Sequence, residues 1–320
     1  MKTLPAISTQ INEKIINKVI QKKFALLSSY YFSFISNWLI RAYKRYNDID
    51  KFLIIIYLIH KNLIFYRKNA LVIDYETFYK ERTLEIEKIN ISDISHDLKI
   101  PKESVRRKVL DLEKKGAIKK IGKKIFVDKS AFINAKATNT VKGLSILLNE
   151  FNKLLKEEKV TESVFQLEEI NNSIKKNFSF CLYQLNKFIF IYLNRWRQEM
   201  PDLETLTIAM LVVLNATDNK NFKPSKLSIT SYREEIMGSD TKGVNAMSIS
   251  DITGIPRPTV VRKIKWLIDK KFLIINNKKL ISLDAKDSTF KKTKNIQYKN
   301  MLSLSNFIYR LFNQIKVINS

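Results

Sequence analysis

The residues of this chain best suited to chemistry are cations, and they come in two matched sets. One runs from Ile100 to Leu112, IPKESVRRKVLDL; the other from Ile255 to Leu267, IPRPTVVRKIKWL. In the second set Val260, Ile264 and Leu267 recur at i, i+4 and i+7, which predicts a helix with one buried stripe. Arg257, Thr259, Arg262 and Lys263 are expected to face away from that stripe. In the first set Val105, Val109 and Leu112 make the stripe, and Lys102, Ser104, Arg106, Arg107 and Lys108 are expected to face outward. Guanidinium, ammonium and hydroxyl groups carried this way do no covalent chemistry. They hydrogen-bond to acceptors on base edges and neutralise phosphates.

The local sequence also says how those helices begin. The residue before a proline is biased away from helix, so helix is barred at Ile255 and disfavoured at Arg257. Pro258 fits a first helical turn, where a missing N–H matters little. A preceding helix is expected at Ile89 to Lys99 and at Val244 to Gly254, and Gly254 suits a left-handed helix end. After each set a hairpin follows. AIKKI and KIFV flank Gly122-Lys123, and FLII and KLISL flank Asn276-Asn277; Gly and Asn suit a two-residue tip with positive φ. Lys123, Lys124, Lys278 and Lys279 would place ammonium groups at these tips.

The two sets form an internal repeat. Pro101 and Pro256 lie 256 − 101 = 155 positions apart. At that offset Ile94 falls on Ile249, Ser95 on Ser250, Arg107 on Arg262, Lys108 on Lys263 and Lys123-Lys124 on Lys278-Lys279, with no gap. Upstream, W38-L-I-R41 aligns with Y192-L-N-R195 and Asp48-Ile49 with Asp202-Leu203, at an offset of 154. Matching turn, stripe, basic face and hairpin together indicates duplication. The expected organisation is a basic helical arm over 1–29, a first unit over 30–156, a linker over 157–183 and a second unit over 184–320. The first helix-turn-helix is placed at about 89–116 with a hairpin at 117–128, the second at about 244–271 with a hairpin at 272–283. His60 to Lys88 and Asn215 to Asn245 read as long surface loops. Closing helices at Gly143–Lys156 and Leu302–Lys316 carry matching apolar stripes, and such helices offer a seam for a homodimer.

Composition bounds the rest. The 320 residues suit two domains of ordinary size, and a 45% hydrophobic content suffices for real cores. With 57 Lys+Arg against 31 Asp+Glu, the formal charge is +26, a field that attracts polyanions. The crowding of Lys, Ile, Asn, Phe and Tyr also fits AT-rich codons, so charge alone does not choose a partner. One cysteine, Cys181, excludes an intrachain disulfide and suits a reducing compartment. No signal-peptide pattern occurs at Met1 to Lys23. The uncharged run Phe24 to Ile40 holds four serines and an asparagine and falls short of the ~20 apolar residues a membrane span needs.

No glycine loop for phosphate, no metal-ligand cluster and no catalytic constellation is present; His60 and His96 read as structural. An enzyme, a cofactor and a metal are therefore not expected.

The two stretches, each followed by a lysine-tipped hairpin, resemble winged helix-turn-helix regulators of the MarR, IclR and cyclic-AMP-receptor kind. The likeness covers about forty residues per copy. It implies a mainly α fold with small β-hairpin wings, present as tandem winged helix domains with extra flanking helices. It also implies a recognition helix in the major groove and a wing along the DNA backbone. Carried over, the base-facing positions are Lys102, Glu103, Ser104 and Arg106 in copy one and Arg257, Pro258, Thr259 and Val261 in copy two. Arg107, Lys108, Arg262 and Lys263 suit phosphates, and the four tip lysines suit the wing. Those regulators usually carry one such domain and dimerise, whereas this chain carries two. The expected partner is double-stranded DNA, read as two unlike half-sites near one helical turn, about 34 Å, apart. The expected setting is cytoplasmic, on the nucleoid. A plasmid-type replication initiator and a winged helix scaffold that binds protein are the alternatives.

Overall fold

The computed structural model describes residues 12–80, 83–86, 90–121, 124–128, 137–161, 164–217, 231–232, 236, 243–284 and 287–319. They form twelve helices and five short strands. Unit one comprises α1 (Glu13–Tyr46), α2 (Ile49–Lys68), α3 (Tyr75–Lys80), β1 (Thr83–Ile86), α4 (Ile91–Leu98), α5 (Lys102–Lys114), β2 (Ile118–Ile121), β3 (Lys124–Asp128) and α6 (Thr138–Glu157). Unit two comprises α7 (Leu167–Lys176), α8 (Phe178–Trp196), α9 (Leu203–Thr217), α10 (Ala246–Thr253), α11 (Arg257–Asp269), β4 (Leu273–Ile275), β5 (Ile281–Leu283) and α12 (Asp287–Asn319).

The repeat reaches further toward the N-terminus than residue 30, the expected start of the first unit. α1 is broken at Lys23, whose φ of −118° is non-helical. α7 and α8 are separated at Asn177, φ −109°. Both breaks and both starts stand at one offset, 177 − 23 = 154 and 167 − 13 = 154. Residues 13–29 are therefore the buried front of unit one and not a separate arm, and residues 167–183 are their counterpart and not a linker. Ile16, Val19 and Ile20 lie in the core, which explains the apolar face of that segment.

Local signals repeat in the same way. Asp48 and Asp202 each accept from the backbone N–H three residues on, at Lys51 (3.2 Å) and Thr205 (2.8 Å), and so start α2 and α9. Such a cap contributes about 1 kcal/mol. Asn90 and Asn245 cap α4 and α10. Ser95 and Ser250 donate to the carbonyls of Ile100 and Ile255 at 2.7 Å, tying each turn to the end of its own first helix. Lys99 and Gly254 close those helices in the left-handed region, φ +54° and +76°.

The two hairpins differ by one residue. Ile118 pairs with Val127 and Leu273 with Leu283, so the offset changes from 273 − 118 = 155 to 283 − 127 = 156 across the tip. In unit one Ile121 pairs with Lys124 around two intervening residues, Gly122 and Lys123, which lie outside the described residues. In unit two Asn276 N–H donates to the Leu280 carbonyl at 3.0 Å and Lys279 N–H to Asn276 at 2.9 Å. The tip is thus the three residues Asn277, Lys278 and Lys279, and it is Lys279 that has positive φ, +57°. A three-residue turn ending in a left-handed residue is a standard hairpin closure. The ungapped match of Lys123-Lys124 to Lys278-Lys279 and the two-residue Asn276-Asn277 tip are both corrected by this register.

The expected loop His60 to Lys88 is instead structured. α2 continues to Lys68, α3 follows, and β1 pairs antiparallel with β3 to give the sheet order β1-β3-β2. Leu63, Tyr75, Phe78, Leu84 and Ile86 are buried there and belong to the core, while Phe65, Leu71 and Val72 stay exposed. Among the described residues, unit two shows one step of that third strand, as Val244 bridges Ile281. Of the second expected loop, Asn215 to Asn245, most lies outside the described residues; Tyr232 and Ile236 within it are buried.

The units share one continuous hydrophobic core. α1 packs on α9 and α12, while α2 packs on α8 and α6 on α7, so helices of each unit lie against the other. The contacts are reciprocal. Arg197 pairs with Asp50, and Tyr43 faces Glu204 at the positions offset by 197 − 43 = 154 and 204 − 50 = 154. When i meets j′ and i′ meets j, the relation is an approximate twofold. The stripes of α6 (Leu144, Leu147, Leu148, Phe151, Leu155) and α12 (Leu304, Phe307, Ile308, Leu311) are spent on this internal core; the side chain of Ile315 lies outside the described residues. No helix among the described residues is long and apolar enough to cross a membrane.

Candidate nucleic-acid interface

α5 and α11 are each braced as their stripes require. Val105, Val109 and Leu112 on α5, and Val260, Ile264 and Leu267 on α11, are at most 5% exposed. The opposite faces are open. Lys102, Glu103, Arg106 and Arg107 are exposed on α5, with Ser104 half-buried. Arg257, Pro258, Val261 and Arg262 are exposed on α11, with Thr259 half-buried, and Lys265 extends this face by a further cation. Pro258 sits in the first turn of α11, where it lacks only a donor that the helix would leave unused.

Two expected surface cations are not on that face. Lys263 is 8% exposed; its Nζ meets the Asp202 carboxylate at 2.5 Å and Thr205 Oγ1 at 3.4 Å. Lys108 pairs with Asp48 and lies 3.6 Å from Asp50. Each lysine stands three residues after the first stripe position and four before the last, hence beside the stripe and within reach of the adjoining helix. Lys108 and Lys263 therefore anchor α5 and α11 to the capping aspartates of α2 and α9, and the expectation that they face phosphate is corrected. Burial pushes the Asp202 carboxyl up, but the bonds from Lys263 and Thr205 outweigh it and hold the group below its ordinary value.

Both anchors converge on the joint between the units. There the Ile49 N–H donates to Glu204 Oε1 at 3.2 Å, and Arg197 pairs with Asp50. Burial, with help from Asp202 and Asp50, raises the Glu204 carboxyl. α5 and α11 are thus fastened to two helix starts that touch one another. Sequence reasoning missed this joint because each lysine and its aspartate are about sixty residues apart, |i−j| = 60 and 61.

The hairpins differ in charge. In unit one Lys124 pairs with Glu85 at 2.6 Å, Lys120 with Glu113 at 3.3 Å and Lys119 with Asp128 at 3.9 Å. Lys123 lies outside the described residues. In unit two Lys278 and Lys279 are exposed and form no ion pair among the described residues.

Among the described residues, His96 Nδ1 meets the Asp97 carboxylate at 3.1 Å. His60 stacks on Tyr183, ring centroids 4.9 Å apart, with Arg67 over the same tyrosine at 4.8 Å. Burial, with Lys61 and Lys187, pushes its imidazole down to about 4. Burial pushes the Cys181 thiol up to about 12, so it stays protonated. Among the described residues no group of acidic, histidine and cysteine side chains could hold a metal ion. Comparison with protein-family models, with curated proteins and with solved structures finds no match for this chain.

Proposed function

We propose that this chain is a sequence-specific double-stranded-DNA-binding protein, acting as a transcriptional regulator, that uses two non-identical recognition helices. The observation that carries this reading is the repeated helix-turn-helix whose outer face is cationic and open while its inner face is fastened to a common joint. Arg257 and Arg262 in unit two and Arg106 and Arg107 in unit one are the guanidinium groups free to meet guanine edges or phosphates. Glu103 can accept from a cytosine amino group, and unit two has Pro258 at that place, so the half-sites differ. The approximate twofold between the units orders those half-sites as an imperfect inverted repeat, read by one chain.

Phosphate neutralisation supplies most of the affinity, which makes it steeply salt-dependent. The test is fluorescence anisotropy on duplexes recovered from a random library, with circular dichroism alongside. Arg257→Ala/Arg262→Ala is expected to weaken retention at moderate salt by about 100-fold with the fold unchanged. Unchanged retention would move the reading to a winged helix scaffold that binds protein. Genome-wide mapping separates a regulator, bound at scattered promoters, from a replication initiator, bound at repeats beside its own gene.

A further inference from the structure

The twofold brings the long helix of each unit against the helix-turn-helix of the other. In unit two the stem of Lys44, in the last turn of α1, lies along the turn after α10. Its Cγ and Cε stand 3.6 and 3.5 Å from the place a Cβ would take on Gly254. In unit one Asn194, near the end of α8, donates to the Asp97 carbonyl in α4 at 2.7 Å. The end of α1 therefore bridges the units: it leads through Asn47 and Asp48 into α2 of unit one and touches the turn of unit two.

The two helix ends carry different charge. The mates of Lys44 and Arg45 at an offset of 154 are Gln198 and Glu199. Positive charge in a last helical turn is favoured by the helix dipole. Yet α8 closes its last turn with Arg195 alone, and that guanidinium is bonded to Lys299, Asn300 and Ser303. Helix closure therefore does not call for an open lysine at this place. Lys44 is exposed and forms no ion pair among the described residues. A lysine whose stem lies along a neighbouring surface keeps its ammonium in water. Here that ammonium stands beside the turn that leads, three residues on, into Arg257, the first residue of α11.

We infer that Lys44 of unit one is a phosphate contact for the half-site read by unit two, so that residues of both units hold this half-site. The inference rests on the DNA-binding reading and adds a contact that neither helix-turn-helix supplies by itself. In such a motif the first helix crosses the DNA backbone and the second brings its N-terminal residues to base edges. The turn between them then runs along the edge of the groove. An ammonium beside that turn neutralises a phosphate whatever the sequence. On the other side a neutral amide and a carboxylate hold the matching place, so unit one lacks this contact.

The test uses the full chain and the duplex recovered by selection. Each neutralised phosphate adds about 0.9 to the slope of log affinity against log salt, a factor of about five at about 0.15 M. Lys44→Gln, the residue unit two carries at this place, should lower the slope by about that much and weaken binding about fivefold. It should leave base preferences as they were. It should also remove one ethylation-interference signal beside the half-site that Arg257→Ala/Arg262→Ala erases. Lys44→Arg, which keeps the charge, should keep slope, affinity and signal. Lys68→Gln, at the far end of α2, should change none of them. An unchanged slope in Lys44→Gln overturns the inference while DNA binding stands. So does an equal loss in Lys44→Arg or Lys68→Gln, or a signal lost beside the other half-site. No enrichment of any duplex by the unaltered chain overturns the DNA-binding reading, and the inference with it.

Discussion

Unit one and unit two have one backbone plan and different surfaces. In unit one the exposed helix face mixes Lys102, Arg106 and Arg107 with Glu103, and the wing lysines are paired with Glu85, Glu113 and Asp128. In unit two the face holds Arg257, Arg262 and Lys265 beside Val261 and Pro258, and Lys278 and Lys279 stand unpaired among the described residues. Behind those faces the difference disappears, because the capping aspartate, the anchoring lysine and the turn serine recur in both. The duplicated scaffold is held constant where it positions the helix and is free to vary where a partner would be met. On the proposed DNA-binding function, unit two is expected to be the stronger polyanion binder and unit one the more selective.

The largest expected effect tests the shared part. Lys108→Met should destabilise the chain by about 3 kcal/mol, since removing one partner leaves buried charge uncompensated. Lys263→Met should cost about 2 kcal/mol, because Asp202, at 39% side-chain exposure, is closer to water than Asp48 at 22%. Urea unfolding of the two variants checks both the size and the order. Equal losses near zero would mean that these lysines do not anchor the helices.

Next comes the contrast in affinity. Arg257→Ala/Arg262→Ala should weaken DNA binding by about 100-fold, as two lost contacts of roughly 1–3 kcal/mol each imply. Arg106→Ala/Arg107→Ala should weaken it by about tenfold and broaden the selected half-site instead. Anisotropy titrations at fixed salt separate the two, and the reverse order would invert the assignment of roles.

A third effect is confined to unit one, where His60 occupies the place of Leu214 in unit two, 214 − 60 = 154. Burial lowers the folded imidazole to about 4 from an ordinary 6.5. Between those values the unfolded chain holds the extra proton, so stability is full above pH 6.5 and falls as pH drops toward 4. The loss should reach about 2–3 kcal/mol. His60→Leu, unit two's own residue, should remove that part of the acid sensitivity in unfolding curves taken from pH 7 to pH 4.

The smallest effect concerns the turns. Lys99 holds a left-handed φ of +54° where unit two uses Gly254. Lys99→Gly should stabilise the chain by about 0.5–1 kcal/mol, and Gly254→Ala should destabilise it by about 1 kcal/mol. Thermal midpoints moving in these opposite directions would confirm that both positions close their helices in the same way.

The residues visible in the sequence were those whose signal is local. The stripes Val105-Val109-Leu112 and Val260-Ile264-Leu267, the turn prolines and the lysine-flanked hairpins lie within short windows, and the elements form where that spacing places them. Lys108 and Lys263 show the limit of such reading. A lysine beside an apolar stripe can turn outward or inward, and its aspartate, a helix away in the chain, decides. β1 was hidden for a related reason: TLEI is too short to announce a strand until β3 offers it an edge. The extension of the repeat to Glu13 and Leu167 rests in the sequence on scattered identities at the offset of 154, among them Ile16 with Ile170, Asn17 with Asn171, Ile20 with Ile174 and Phe24 with Phe178, which stand out only once the shared helix break at Lys23 and Asn177 fixes the alignment. The one-residue difference between the hairpins was legible only in the strand register.

The central claim is that one chain presents two unlike reading helices about an approximate twofold, fastened to a single joint. Selection of the full chain against random duplex DNA, followed by footprinting of the recovered sequence, tests it most directly. The account expects two protected half-sites in inverted orientation and of different sequence, with Arg257→Ala/Arg262→Ala erasing one of them. Two half-sites in direct orientation, or no enrichment of any sequence, would contradict it.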